Sequence, residues 1–268
     1  MRFTFAYNRE GNVIPPVTPS VSDLVELGIL TKQVSEFTNS DIGTKVSIPY
    51  SNEGSGISGP IVFEVVGVNH HTTAEHPKTI TLMTKNIIRK AAFDAPEPDN
   101  TNSYRKNGGN NRWSVSNIRQ WLNSAGATGS WFTTQHEYDA APTYASEPGF
   151  LAGFSANVLQ HFTDITNTTN LNNVDGGGTE TTVDKVFLPS FTEMGLATGE
   201  GSHLSIRYPD ANSRIKSGAD GVYWTRSPYT VMNPTNVGYI NAEGNSPNYT
   251  FFISASADNG ITPIIVIH

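Results

Sequence analysis

Three segments near the C-terminus have the composition of β-strands, and they constrain the fold more than any other part of the chain. The sequence GVYWTRSP at 221–228 is followed by VGYI at 237–240 and by GITPIIVI at 260–267. Residues 261–267 are almost continuously Ile and Val, which is typical of a strand covered on both faces. We therefore expect a final strand at 261–267 that is central in its sheet and buried.

The segment at 222–227 has two chemically different faces, because successive side chains of a strand point to opposite sides. Trp224 and Arg226 share one face, and Tyr223 and Thr225 share the other. Tyr supplies a large contact area at low entropic cost, while Ser, Thr and Asn supply adaptable hydrogen bonds. This combination indicates a binding surface beside a rigid strand framework.

Further strands are predicted upstream from their β-branched content, at 43–48, 61–68, 79–83 and 183–188. Ser114 is placed to cap a helix that runs to 123, and a second helix is predicted over 155–162. The Ser190-x-x-Glu193 spacing has the form of a capping box that opens a short helix.

The polar segment at 166–178 contains little that could pack, and we expect it to be a long surface loop. Residues 199–220 also have loop character. Strands with two or three helices and no regular β-α alternation favour an α+β fold with mixed or antiparallel sheets and long loops.

Residues 1–40 form a separate N-terminal arm in this interpretation, and the main domain spans residues 41–268. The arm begins with an alternating strand pattern at 3–7 and reaches a short helix after Ser22. It is too short to fold alone. It could dock on the main domain, on a neighbouring subunit or on an adaptor protein.

Composition excludes several classes of partner and chemistry. The formal net charge of −7 would repel a nucleic-acid backbone or an anionic membrane surface. Charged residues make up only 15% of the chain, against about 25% in average globular proteins. There are no cysteines, so the chain has no disulfide, thiolate metal site or cysteine nucleophile.

The first ten residues lack the apolar run of a signal peptide, and no segment has the roughly 18 apolar residues of a membrane span. These features fit a protein made in the cytoplasm and carried out on a particle, such as a virion. They also fit an ordinary cytoplasmic protein.

His70, His71 and His76 form the densest histidine cluster, but their spacing matches no standard zinc site. We expect hydrogen-bonded histidines in a turn at a strand end, with no metal and no cofactor.

Enzymatic motifs are weak. No G-x-S-x-G nucleophile motif is present, and the glycine-rich stretch at 54–59 precedes a strand, which is the wrong context for a nucleotide-binding loop. A glycan hydrolase would need two facing carboxylates. Glu137 lies near Asp139 in sequence, and Glu97 near Asp99, but this proximity does not show that either pair faces across a sugar.

The order of several blocks resembles a family of C-type-lectin-like proteins found in phage tails and in bacterial ligand-binding proteins, some of them diversified by retroelements. The blocks are the WTRSP strand, the V-x-Y-I strand, the terminal G-I-x-P strand, DKVFLPS at 184–190 and the Trp113 segment with IRQWLN at 118–123. The resemblance covers about residues 41–268. The calcium-binding motif of such lectins is missing, because Glu97-Pro98-Asp99 lies far upstream of the WTRSP block and has no Trp-Asn-Asp partner.

The resemblance implies a C-type-lectin-like fold in which Trp224 and Arg226 are framework residues and the opposite face of the strand points outward. It implies a non-enzymatic protein that binds a host-surface glycan or protein, together with other phage tail proteins and as a possible homotrimer. The expected ligand-binding residues are Tyr223, Thr225, Tyr229, Asn233, Asn236, Tyr239, Asn248 and Tyr249. A cell-wall glycan hydrolase and a structural baseplate or tail component remain alternatives.

Overall fold

The computed structural model describes residues 23–245 and 252–268, together with the backbone of a short strand pair at 6–7 and 13–14. In this part of the chain the protein has an α+β fold with four short α-helices. The helices are α1 (Ser103–Gly108), α2 (Asn117–Leu122), α3 (Ala156–Leu159) and α4 (Ala211–Arg214). The strands are β1 (Ala6–Tyr7), β2 (Val13–Ile14), β3 (Lys45–Ile48), β4 (Ile61–Val68), β5 (Ile80–Thr84), β6 (Arg89–Ala92), β7 (Ile165–Asn170), β8 (Thr179–Asp184), β9 (Val186–Phe187), β10 (Tyr223–Pro228), β11 (Asn236–Ile240), β12 (Phe252–Ser254), β13 (Asp258–Ile261) and β14 (Ile264–Ile267).

Two five-stranded sheets hold most of the core. The first has the order β3-β4-β5-β14-β9 and is antiparallel throughout. The second has the order β12-β11-β10-β13-β6 and is mixed, because β10 and β13 run parallel. The predicted α+β class with mixed and antiparallel sheets is confirmed. None of the helices in the described ranges is long and apolar enough to cross a membrane.

The final apolar run links the two sheets. Ile264–Ile267 lies between β5 and β9, and all four of its side chains are buried, as predicted. The run is not one strand, however, because Thr262 and Pro263 separate β13 from β14. Proline has no N–H for a sheet ladder, so the chain leaves one sheet here and enters the other.

The helix predicted from Ser114 begins later. Residues Trp113–Val115 form a 3-10 turn, and α2 starts after Ser116, whose hydroxyl accepts the Arg119 N–H at 3.4 Å. Ser114 instead donates to Glu180 at 2.9 Å. The second predicted helix is also shorter than 155–162, since α3 ends at Leu159.

The prediction of a loop at 166–178 is wrong, because β7 and β8 form a six-pair antiparallel hairpin. Ile165, Asn167 and Thr169 are buried, whereas Thr166 is exposed, so the strand alternates although its buried face is mostly polar. The Asn167 side-chain amide donates a hydrogen bond to the Asp184 carboxylate at 3.0 Å. The predicted strand at 183–188 is divided between the end of β8 and the two-residue β9.

The capping-box contacts of Ser190 and Glu193 are present, with the Ser190 N–H donating to the Glu193 carboxylate at 2.8 Å and the Glu193 N–H donating to the Ser190 hydroxyl at 3.1 Å. They close a turn at 191–195 rather than a helix. The segment from 190 to 215 then contacts β10, where Glu193 pairs with Arg226 and the Arg214 carbonyl accepts the Tyr223 hydroxyl.

The described end of the N-terminal arm packs into the core. Leu24, Ile29, Leu30 and Phe37 are all buried. Residues 24–28 form a turn, not the predicted helix. Of the predicted strand at 3–7, Ala6 and Tyr7 pair with β2, and the other residues lie outside the described part of the chain.

Candidate functional site

Trp224 and Arg226 are framework residues, as predicted. The Trp224 side chain is fully buried, and its indole N–H donates to the Ala91 carbonyl at 2.9 Å. Arg226 is 1% exposed and forms a two-bond ion pair with Glu193, at 2.7 and 3.0 Å.

Tyr223 and Thr225 do not point outward, so that part of the predicted binding face is wrong. Both are fully buried. The Tyr223 hydroxyl donates to the Arg214 carbonyl at 2.7 Å, and the Thr225 hydroxyl donates to the Gly238 carbonyl at 2.8 Å. The physical reason is that other parts of the chain pack against this side as well: Arg214 lies against Tyr223, and Gly238 of β11 lies beside Thr225.

The other predicted binding residues have mixed positions. Tyr229, Asn233, Asn236 and Tyr239 are half-buried. Tyr239 packs against the core, and burial raises the pKa of its hydroxyl. The remaining two, Asn248 and Tyr249, lie outside the described residues.

Three segments that are distant in sequence meet beside Tyr229. They are α1, the hairpin tip at 171–178 and the β10–β11 loop at 229–235. The buried Asn172 side chain at the tip donates to the carbonyls of Tyr229 at 2.6 Å and Met232 at 3.1 Å. The Asn173 N–H donates to the Thr230 carbonyl at 2.8 Å. The hairpin tip and the loop are therefore held in fixed relative positions.

A second buried side-chain amide, that of Asn111, also holds the β10–β11 loop in place. The Asn111 side chain donates to the carbonyls of Tyr229 at 3.1 Å and Asn236 at 3.0 Å. Asn233 adopts φ of +46°, a left-handed conformation that Asn tolerates better than most residues. The loop is thus a defined turn on a rigid base.

An ion pair joins α1 to the hairpin tip. Arg105 Nη2 lies 2.5 Å from Asp175 Oδ2, and both side chains are mostly buried, at 12% and 9% exposure. An ion pair that is largely shielded from water is screened less than one on the open surface. All three segments are therefore tied into one unit.

Large apolar side chains project from this unit into solvent. The exposed fractions are 57% for Tyr104, 56% for Val174, 62% for Val231 and 66% for Met232. We call Tyr104, Val174, Tyr229, Val231, Met232 and Asn233 the rim surface. Of these residues, sequence reasoning identified only Tyr229 and Asn233.

The missed residues had a weak local signal. Val231 and Met232 are an apolar pair between Thr230 and Asn233-Pro234, and turn sequences of that kind normally lie at the surface. Tyr104 and Val174 could not be placed beside them without knowing that residues 165–184 form a hairpin.

The histidine cluster does not converge. His71 contacts the Thr81 hydroxyl at 3.0 Å and Glu193 at 3.2 Å, and His70 packs against it with ring centres 4.6 Å apart. His76 instead stacks on His268, with ring centres 3.5 Å apart. The described residues contain no group of three or more His, Cys, Asp or Glu side chains that could hold a metal ion.

Comparison with known proteins identifies a family. Residues 78–268 match the family model described as a domain of unknown function, DUF6273. The chain belongs to the DUF6273 family. No curated protein and no solved structure matches it.

The DUF6273 match includes α1, the β7–β8 hairpin and the β10–β11 loop, so the whole rim surface lies inside it. It also includes the ion pair of Arg226 with Glu193 beneath the hairpin. Strands β3 and β4 precede the match, although they belong to the same sheet as β5.

The pKa values of two buried carboxyl groups near Arg226 are shifted in opposite directions. Burial opposes ionisation of Glu193, but the Arg226 guanidinium and His71 outweigh it and hold the pKa of that carboxyl well below its usual range. Burial raises the pKa of Glu200, and the hydrogen bond from Ser227 only partly offsets this effect. Glu193 is fully engaged by Arg226 and His71, so its geometry is that of a structural ion pair.

Proposed function

We propose that this protein is a non-enzymatic binding protein of C-type-lectin-like character that holds a partner protein on its rim surface. One observation carries the proposal. Three segments distant in sequence are tied together by buried side chains, and the unit they form presents four largely exposed apolar side chains. Single exposed apolar residues are ordinary, whereas a group of them on a rigid base is typical of an interaction site.

The chemistry of the rim surface favours a protein over a glycan. Val174, Val231 and Met232 are more than half exposed, and none of their side chains can bond a sugar hydroxyl in the way that amides and carboxylates do. Aromatic residues and Met are enriched where proteins bind proteins. Tyr229 and Asn233 would add polar contacts at the border of the apolar group.

The resemblance to C-type-lectin-like proteins of phage tails suggests which partner to test first. A protein carried on a tail would meet the proteins of a bacterial cell surface. Presentation as a trimer would strengthen attachment, because linked copies raise the effective concentration of the second and third sites.

The test is attachment of the fluorescently labelled full chain to intact bacterial cells. The variant Val231→Glu Met232→Glu places two charges in the rim surface. It is expected to reduce binding at least about tenfold, because an unpaired charge buried in an interface is strongly unfavourable. Treating the cells with a proteinase should abolish binding, and periodate oxidation of their glycans should not.

Val183→Glu is the matched control, because Val183 is 61% exposed, against 62% for Val231, but lies at the other end of the hairpin. It should leave binding unchanged. Binding that resists proteinase and is lost after periodate would mean a glycan ligand. Binding that tolerates the double substitution would rule out the rim surface.

A further inference from the structure

A cleft of about 540 Å³ lies beside the end of β14, and the tip of the β4–β5 connection forms part of its wall. We call residues 72–78, which make up this tip, the flap. Residues 73–76 of the flap line the cleft, and the rest of the lining comes from 160–164, Lys185 and His268.

The flap is a turn on a fixed base. At the base, the Asn69 N–H donates to the Thr79 carbonyl at 2.8 Å, and the Thr79 N–H donates to the Asn69 side-chain oxygen at 3.1 Å. At the tip, the Thr73 N–H donates to the His76 carbonyl at 3.2 Å, and the His76 N–H donates to the Thr73 hydroxyl at 3.0 Å. These bonds keep the shape of the flap without tying it to the rest of the cleft.

One ring contact holds the flap against the cleft. The His76 ring stacks on that of His268, with centres 3.5 Å apart and planes at 24°. Among the described residues, no hydrogen bond or ion pair joins 72–78 to another segment, and no flap residue belongs to the hydrophobic core. His268 is itself held firmly, because its Nδ1 lies 3.0 Å from the Thr163 hydroxyl and its N–H donates to the His161 carbonyl at 3.2 Å. The closed position of the flap therefore depends on the stack.

The surroundings of His268 oppose a positive charge on its ring. Burial lowers the pKa of its imidazole from 6.5 to about 4, and His76, His161 and Lys185 add to this effect. The ring is therefore neutral at pH 7, where it can stack on His76 without repulsion.

The acidic groups nearby offset little of this charge. Asp164 is 56% exposed and is already paired with Lys185 at 3.1 Å. Asp23 acts on His161. Glu75 and Lys78 carry opposite charges on the flap itself, and both are exposed. Among the described residues, the carboxylates that form ion pairs with histidines do so with His71 and His136, not with either stacked ring.

We propose that acid opens the flap: when His76 and His268 are both charged, their stack breaks and residues 72–78 move away from the cleft. One charged ring can still rest on a neutral one, because an aromatic face attracts a cation. Two charged rings 3.5 Å apart repel each other. As the pH falls from 6.5 towards 4, protons therefore favour the open state, in which His268 is better solvated. No residue of the rim surface takes part, so either proposal can fail without the other.

Two spin labels can measure the opening, because the chain has no cysteine of its own. Ala74→Cys places one label on the flap, and Gln160→Cys places the other on the 160–164 side of the cleft; both positions are exposed. At pH 7 the labelled full chain should show one short distance between the labels. At pH 4 a longer distance should be at least about ten times more populated, since each pKa unit between the closed and open states is a factor of ten.

His76→Phe in the labelled chain keeps a ring for the stack and cannot be charged, so its flap should stay closed at pH 4. His70→Phe is the matched control, because His70 lies in the same connection but outside the flap and does not line the cleft. It should open as the labelled parent does. General acid unfolding would lengthen the distance in every variant and so would count against the flap. The proposal is overturned if the distances are the same at pH 7 and pH 4, if His76→Phe opens as far as the parent, or if His70→Phe stays closed.

Discussion

At the scale of single residues, we expect the Trp224 side chain to make a large contribution to the stability of the core. It is fully buried, and its ring meets that of Phe93 edge-on at 5.9 Å. Trp224→Ala should lower the free energy of unfolding by about 3 to 5 kcal/mol, the usual cost of deleting a large buried ring. Urea denaturation of both proteins measures this. Val231→Ala, at an exposed position, should change it by no more than about 0.5 kcal/mol.

Lys216 is a buried amine whose charge opposes folding. Its ammonium group donates to the Thr84 carbonyl at 2.8 Å, and burial lowers its pKa from 10.5 to about 7 despite the nearby Glu64. Between these two values the unfolded chain binds more protons than the folded protein, so stability rises with pH. We expect the free energy of unfolding to increase by about 1 to 3 kcal/mol from pH 7 to pH 9.

Lys216→Met is the control for that pH dependence. It keeps the length of the side chain and removes the titrating group, so the rise between pH 7 and pH 9 should disappear. If the variant shows the same rise as the wild-type protein, another group is responsible. Urea denaturation at both pH values decides between the two.

The resemblance to C-type-lectin-like proteins implied that Trp224 and Arg226 are framework residues, and both are buried. It could not show that Tyr223 and Thr225 are buried too. Part of their cover comes from Arg214, which lies in the stretch 199–220 with loop character, and only the tertiary fold places it beside Tyr223.

At the scale of elements, the β7–β8 hairpin separates what could be predicted from what could not. Strands β4, β5 and β14 follow β-branched runs that the sequence makes plain. The hairpin is built from Thr and Asn, and its buried face depends on bonds such as that of Asn167 to Asp184. The hydrophobic pattern of the sequence does not predict those hydrogen bonds. The residues of the rim surface could therefore be grouped only once the structure was known.

Asn172 tests whether the hairpin tip and the β10–β11 loop form one unit. Asn172→Ala removes the two bonds to the loop and a third, in which the side-chain oxygen accepts the Val174 N–H at 3.0 Å. The expected loss is about 1 to 3 kcal/mol, because a buried side-chain amide that makes three hydrogen bonds is removed. Faster amide hydrogen exchange at Val174 would show that the tip has loosened.

The exposed neighbour Asn173 provides the comparison. Its contact with the loop is made by the backbone N–H, which Asn173→Ala retains. That variant should stay within about 0.5 kcal/mol of the wild-type protein. Equal effects of the two substitutions would argue against the joined unit.

At the scale of the whole molecule, the two sheets depend on each other. The final segment passes from β13 in one sheet to β14 in the other, so neither sheet is formed by one continuous segment of the chain. The first sheet also extends beyond the DUF6273 match, since β3 and β4 lie before residue 78 and pair with β5 through β4. The region matched by the family model is therefore smaller than the folding unit.

A truncated chain of residues 78–268 should consequently fail to fold. Its loss of β4 removes Ile61, Phe63, Val65 and Val66, which are each at most 4% exposed, and leaves β5 as an unpaired, apolar edge. Such an edge is a site for aggregation. A chain of residues 23–268 retains both sheets and the buried Leu24, and should melt cooperatively at nearly the same temperature as the full protein. Circular dichroism and size-exclusion chromatography compare the two. A monomeric 78–268 chain with a cooperative unfolding transition would show that the core folds without β3 and β4.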